Sequence, residues 1–201
     1  MINEKQQLSS KLDFSNNYEV IETIQQILTD ITNYSADLDE RTPSIFDFSN
    51  ENEIENSNYS TCISSNSESS EKSDFQKSYS NFDFDLDIFI SKFAKKFKFN
   101  DNMLVLALMN IDKILDNNFI ITDNNVKSLF YISMIEVQKL YEDEPFSNSE
   151  YAYIIGISTK KLYKMEMEFL ELIDYKLFVS DNDFSNYKKN LYLFYKEKVE
   201  K

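Results

Sequence analysis

From Leu86 to Tyr195 the apolar side chains recur at three- and four-residue spacing, stripe after stripe. That period is the signature of helices burying one face. Leu86, Phe89, Ile90, Phe93 and Phe97 make the first stripe, and Leu104, Ala107, Leu108, Ile111, Ile114 and Leu115 the second, opened by Asn100 or Asp101. A third begins at Thr122 or Asp123 and holds Val126, Leu129, Phe130, Ser133, Met134, Val137 and Leu140. Ser147 and Glu150 have capping-box spacing for a short helix containing Tyr151, Ala152, Ile154 and Ile155. Gly156, the chain's one glycine, stands where a left-handed residue closes such a helix. Ser158 caps the next, with Leu162, Met165, Phe169, Leu170 and Ile173 on its face. Leu177 to Val179 is a short extended exit, and a last helix follows Ser180 or Asp181 with Phe184, Tyr187, Leu191, Tyr192 and Tyr195. No stretch alternates with period two. Core packing accounts for nearly all of these residues, and the spacing predicts an all-α bundle with loops of a few residues.

The N-terminal part is organised differently. Residues 1–16 are polar and expected to be loose. Val20, Ile21, Ile24, Leu28 and Ile31 give a helix over about 17–33, capped by Asn17 or Ser15. Residues 34–80 are rich in Ser, Asn, Asp and Glu, too polar to offset their ordering entropy, so a disordered insertion is expected there. Its aromatics Phe46, Phe48 and Tyr59 are candidate weak docking points. Residues 81–201 form the main domain.

Composition excludes several chemistries. The chain has no His, one Cys (Cys62), one Gly and two Pro. A Cys/His zinc site and a Gly-rich phosphate loop are therefore unavailable, and the commonest general base is missing. No cofactor or metal is expected. One Cys allows no internal disulfide, which suits a reducing compartment, nucleus or cytoplasm. No apolar run is long enough to span a bilayer, and Met1 to Lys11 shows no secretory signal. The net charge is −14, with 5 basic and 15 acidic side chains over 1–80 against 16 and 20 over 81–201. An acidic chain repels nucleic acid and anionic membrane, so neither is expected as a partner, nor is a small-molecule ligand.

Four segments, in order and at matching separations, carry a family resemblance. Residues 106–115 (LALMNIDKIL) resemble the "LALxYIDRxL" second helix of the cyclin box. Residues 137–143 (VQKLYED) resemble the "AAKxxxD" end of its third helix. Residues 146–152 (FSNSEYA) with Gly156-Ile157-Ser158 resemble "ysNxxyAxvgGis", and residues 162–177 resemble "eLnxlExxfLxxldfxL". Over residues 86–187 the chain resembles the single-box P/U-type cyclins related to the phosphate-regulon cyclin of yeast. The helix near 17–33 falls where this subgroup has an extra helix before the box. Asn110 stands in place of Tyr, Lys113 of Arg, Gln138 of Ala, Ile155 of the first glycine of a pair, and 127–129 (KSL) of "HRL". Lys113 is a point charge where Arg would offer a fork.

The resemblance implies a single five-helix cyclin box with an extra N-terminal helix and a C-terminal helix. It also implies a non-catalytic subunit that binds and activates a cyclin-dependent protein kinase. Cyclins pack the third and fifth box helices against the kinase's regulatory helix, which turns inward so that its Glu meets the phosphate-binding Lys. The Lys and Glu that anchor this contact map to Lys139 and Glu166. Met134 and Leu140 from the third box helix, Tyr163 and Phe169 from the fifth, and Phe93 from the first are candidates for the apolar patch between them. Asp112 is assigned to holding helices together and Gly156 to its turn. The plainer reading makes Lys139 a surface lysine snorkelling at a helix end and Glu166 part of a solvated face with Lys164 and Glu168. Glu142, Asp143 and Glu144 form an acidic run that reads as a solvated loop, since no cation-loop spacing is present.

Three other readings compete. A DNA-touching cyclin-fold transcription factor needs a basic face, which the acidic domain lacks. A cyclin-fold adaptor or scaffold that activates no kinase is left open by Asn110 and Gln138. An enzyme ranks last, because no catalytic set converges by spacing.

Overall fold

A computed structural model of the chain describes Phe14, residues 16–36, Phe46 and residues 85–199. Among the described residues every regular element is a helix: α1 (Asn17–Ala36), α2 (Leu86–Phe97), α3 (Asp101–Asp116), α4 (Val126–Tyr141), α5 (Asn148–Ile155), α6 (Thr159–Leu172) and α7 (Asp181–Val199). Helices α2 to α6 are the five of the expected box, flanked by α1 and α7. The expected loose N-terminus and most of the expected 34–80 insertion lie outside the described residues. Residues 34–36 do not belong to it, because α1 runs on to Ala36.

The stops and starts follow from side-chain chemistry. Asn100 Oδ1 accepts from the Met103 amide at 3.0 Å and opens α3. Ser147 and Glu150 complete the capping box of α5, and Ser158 Oγ accepts from the Lys161 amide at the start of α6. Each cap satisfies an amide that a helix end would leave without a partner. Gly156 closes α5 at φ 75°, ψ 24°, its amide donating to Ala152 and Tyr153 carbonyls. A Cβ at that φ would crowd the following carbonyl. Two expected starts move. The cap of α1 is Asn16, which accepts from the Glu19 amide, in place of Asn17 or Ser15. α4 begins at Val126, because residues 123–125 form a turn held by the Thr122 amide donating to Asn125 Oδ1.

α3 and α4 are the centre of the bundle. α3 packs on α1, α4 and α7, and α4 on α3 and α6. Every α4 residue from Ser128 to Gln138 is buried. α1 lays Val20, Ile24 and Leu28 against the box, touching α2, α3 and α7. An aromatic cluster joins α2 to α4 and α5: Phe93 lies 4.6 Å from Tyr131, and Phe97 4.9 Å from Tyr151, between ring centroids. Burying each such side chain contributes roughly 1.5–3 kcal/mol before ordering costs.

Of the positions that depart from the family pattern, Asn110, Ser128, Gln138 and Ile155 are buried, and Lys113 and Lys127 are half-buried. Gln138, buried at 4% exposure, donates to the Phe97 carbonyl at 2.8 Å and accepts from the Tyr151 hydroxyl. It ties together the ends of α2, α4 and α5. Asn110, also buried, accepts from Lys113 at 3.0 Å. Lys113 also donates to the Lys176 carbonyl at 2.6 Å, a single-point contact that a lysine satisfies. Asp112 Oδ2 accepts from the Tyr187 hydroxyl at 2.6 Å, linking α3 to α7. Burial pushes its carboxyl above the usual range, and the Tyr187 hydrogen bond pulls it back. Among the described residues no buried side-chain nitrogen or oxygen is left without a partner.

Candidate functional site

The C-terminal end of α4 and the middle of α6 meet at one place. Lys139 Nζ is in contact with Glu166 Oε1, an ion pair between residues far apart in sequence. Asn148, the first residue of α5, donates from Nδ2 to Glu166 Oε2 at 2.6 Å. Glu136, one turn before Lys139, places Oε1 3.8 Å from its Nζ. Both carboxylates are nearly enclosed, Glu166 at 5% and Glu136 at 7% exposure, whereas the Lys139 side chain keeps 28%. Lys139 and Glu166, expected from the sequence to act together, are brought together.

Helical geometry explains the arrangement. On α6, Leu162, Met165 and Phe169 face the core at spacing three and four. Glu166 follows Met165 and lies at the edge of that face, where it reaches α4. Tyr163 lies about 100° round the helix from Leu162 and is 58% exposed. α4 leaves the core after Gln138, so Leu140 and Tyr141 emerge into solvent beside Lys139. Leu140 is 47% exposed. The local surface is thus an ammonium group at a helix end, next to exposed Leu140 and backed by two carboxylates, with exposed Tyr163 one turn before Glu166 on α6. Such a head can donate to helix-end carbonyls of another chain.

Electrostatics single out Glu136. Burial pushes its carboxyl up to about 7; Lys139 draws it down, and Glu166 pushes it further up by its charge and by hydrogen bonding. Near neutral pH the carboxyl is therefore partly protonated, which eases the repulsion between two enclosed carboxylates. Burial also pushes the Tyr131 and Tyr151 hydroxyls up, with Glu166 adding to each.

Part of the expected patch is corrected. Met134 (1%), Phe169 (0%) and Phe93 (1%) are enclosed and present nothing to a partner. Met134 lies on a helix surrounded on all sides, so its stripe has no outward face. Phe169 shares the core face of α6 with Leu162 and Met165, and Phe93 faces Tyr131. Leu140 and Tyr163 remain.

Two members of the site were missed. Glu136 stands at i−3 from Lys139, a visible ion-pair spacing, but the sequence gives no sign of its burial. Asn148 reads only as the start of a helix, and nothing local places it against Glu166. Glu142, Asp143 and Glu144 are all exposed, and no group of three or more potential metal ligands occurs among the described residues. Among the same residues no helix is long and apolar enough to cross a membrane.

Comparison with known proteins agrees with this architecture. The family model described as Cyclin matches residues 19–177, from α1 to the loop before α7. The chain is similar to Cyclin-U2-1 of Arabidopsis thaliana, 30% identical over 107 residues, covering 52% of this chain and 48% of that protein. It is similar to PHO85 cyclin-7 of Saccharomyces cerevisiae, 34% identical over 79 residues, covering 39% of this chain and 28% of that protein. It is also similar to Cyclin-P2-1 of Oryza sativa subsp. japonica, 24% identical over 110 residues, covering 54% and 51%. The chain thus spans about half the length, or less, of the curated relatives it matches. With the family model covering most of α1 and all five box helices, this chain belongs to the cyclin family.

Proposed function

We propose that this chain is a regulatory subunit that binds and activates a cyclin-dependent protein kinase, contributing no chemistry of its own. The observation that supports this most is the Lys139–Glu166 pair, seated where α4 meets α6 with exposed Leu140 and Tyr163 beside it. A mobile kinase helix docking there finds apolar surface for its side chains and a cation for its terminal carbonyls. The kinase shifts toward its active state by as much as the cyclin prefers that state. The likeness to PHO85 cyclin-7 favours a kinase of the class served by phosphate-regulon cyclins. Lys139, Leu140 and Tyr163 meet the kinase at the surface, Glu166 acts through Lys139, which it holds, Glu136 and Asn148 position the pair, and Asp112 and Gly156 hold the scaffold.

The adaptor reading drew on Asn110 and Gln138. Both are buried, so neither alters the docking surface, and no observation favours that reading. The deciding experiment is affinity purification of the full chain, identification of the kinase that accompanies it, and assay of that kinase with and without the chain. The wild type is expected to retain and stimulate the kinase and Glu166→Lys to lose it. Equal retention by both proteins would reject the docking site.

A further inference from the structure

Phe46 stands apart from α1 and the box in sequence, yet it is 1% exposed. Its ring meets Phe119 edge-on, with centroids 6.3 Å apart and planes at 89°. Its carbonyl accepts from the Ser128 hydroxyl in the first turn of α4, 82 residues away. Glu168, Glu171 and Leu172 of α6 complete the depression, and about 260 Å³ stays open beside the ring.

Two properties make this more than a packing contact. Ser128 Oγ also lies 2.9 Å from the Asn125 carbonyl. When Phe46 leaves, the Ser128 hydroxyl keeps that acceptor, so the buried hydroxyl is not stranded. The depression is open to solvent beside the ring, so a residue next to the anchoring phenylalanine can reach it.

We propose that the depression formed by Phe119, Ser128, Glu168, Glu171 and Leu172 is a docking seat for a short phenylalanine-anchored segment, and that Phe46 of the chain itself is its resident occupant. The seat recognises an aromatic ring through Phe119 and Leu172, and the carbonyl of the same residue through Ser128. A tethered occupant acts at high effective concentration, so a partner segment of the same chemistry enters only by displacing Phe46. Neither Lys139 nor Glu166 takes part, so this stands or falls separately from the kinase reading.

The test uses the full chain and a fluorescein-labelled peptide of residues 41–51 followed by anisotropy. Phe46→Ala empties the seat and is expected to bind the peptide at least about tenfold more tightly than the wild type. The same peptide with Ala in place of Phe46 is expected to bind neither protein. Equal binding by wild type and Phe46→Ala, or binding by neither, overturns the proposal. The chain has no tryptophan, so Phe46→Trp introduces a unique fluorophore that reports the seat even if Phe46→Ala fails to fold. Blue-shifted emission shielded from iodide is expected, with shielding lost on adding Phe119→Ala. Solvent-like emission from Phe46→Trp alone would reject cis occupancy.

Discussion

Lys139 on α4 and Glu166 on α6 form an ion pair that joins the two box helices, while Asn148 on α5 holds the second oxygen of the same carboxylate. Because the pair bridges helices, it has a structural side as well as a docking side, and the two can be separated. Lys139→Glu puts a third carboxylate beside Glu136 and Glu166 and is expected to cost about 1–3 kcal/mol. Helical content by circular dichroism should be retained and kinase binding lost. The double variant Lys139→Glu/Glu166→Lys re-forms the pair with reversed polarity. Its urea midpoint is expected to recover most of the loss, whereas kinase binding stays absent because the docking surface now offers the wrong charges. Recovery of binding together with stability would assign the pair a purely structural role.

Glu136 should make stability fall as pH rises. Its carboxyl is raised by burial to about 7 in the folded chain, against 4.5 as the ordinary value. Below pH 4.5 it is protonated in both states and contributes nothing to the pH dependence. Between 4.5 and 7 the unfolded chain releases the proton and the folded chain keeps it, which disfavours folding. Above 7 the effect is complete. Glu136→Gln removes it. The variant is expected to match wild type at pH 4 and to exceed it by about 3 kcal/mol at pH 8. Thermal melts at the two pH values measure this. A constant difference would show that Glu136 does not titrate in this range.

Leu140 and Tyr163 are exposed, so truncating them removes little from the core. Leu140→Ala and Tyr163→Ala are expected to change unfolding free energy by less than about 0.5 kcal/mol. If they meet the kinase, each weakens binding by about 1–2 kcal/mol, or roughly 5- to 30-fold. Surface titration of the purified kinase against each variant gives the answer. Unchanged affinity for both would move the interface elsewhere.

Asp112 and Tyr187 link α3 to α7 through one hydrogen bond. Tyr187→Phe leaves the ring in place and removes the hydroxyl from a carboxylate whose pKa burial already raises. A loss of about 1–2 kcal/mol is expected in urea unfolding, with binding at the α4–α6 site unaltered. No change in stability would show that solvent replaces the hydroxyl.

Gly156 adopts φ 75° at the end of α5. Gly156→Ala is expected to cost about 1–2 kcal/mol, and Gly156→Asn less, because Asn tolerates that region. Thermal midpoints of the two variants test the order.

Much of the fold was legible from residue spacing. The stripes on α1, α2 and α6, the capping box at Ser147, the cap at Ser158 and the left-handed Gly156 are local features, set by side chains within a turn or two of one another. The starts of α1 and α4 were less legible: Asn17 or Ser15 was expected where Asn16 caps, and Thr122 or Asp123 where a turn held by Asn125 delays the helix to Val126, because neighbouring polar residues are alike in sequence and only the actual hydrogen bonds separate them. On α4 a stripe was read, yet the helix is enclosed on every side, so periodicity could not tell Met134 inside from Leu140 outside.

What the sequence by itself determined is the succession of helices and several of their ends, because capping and amphipathic spacing act over three or four residues. Only the tertiary structure decided that Lys139 meets Glu166, that Glu136 and Asn148 join them, and that Phe46 lodges between Phe119 and Ser128. These contacts bring residues from different helices and loops to one point. Their burial, and with it the shift at Glu136, depends on how whole helices pack, which no local pattern encodes.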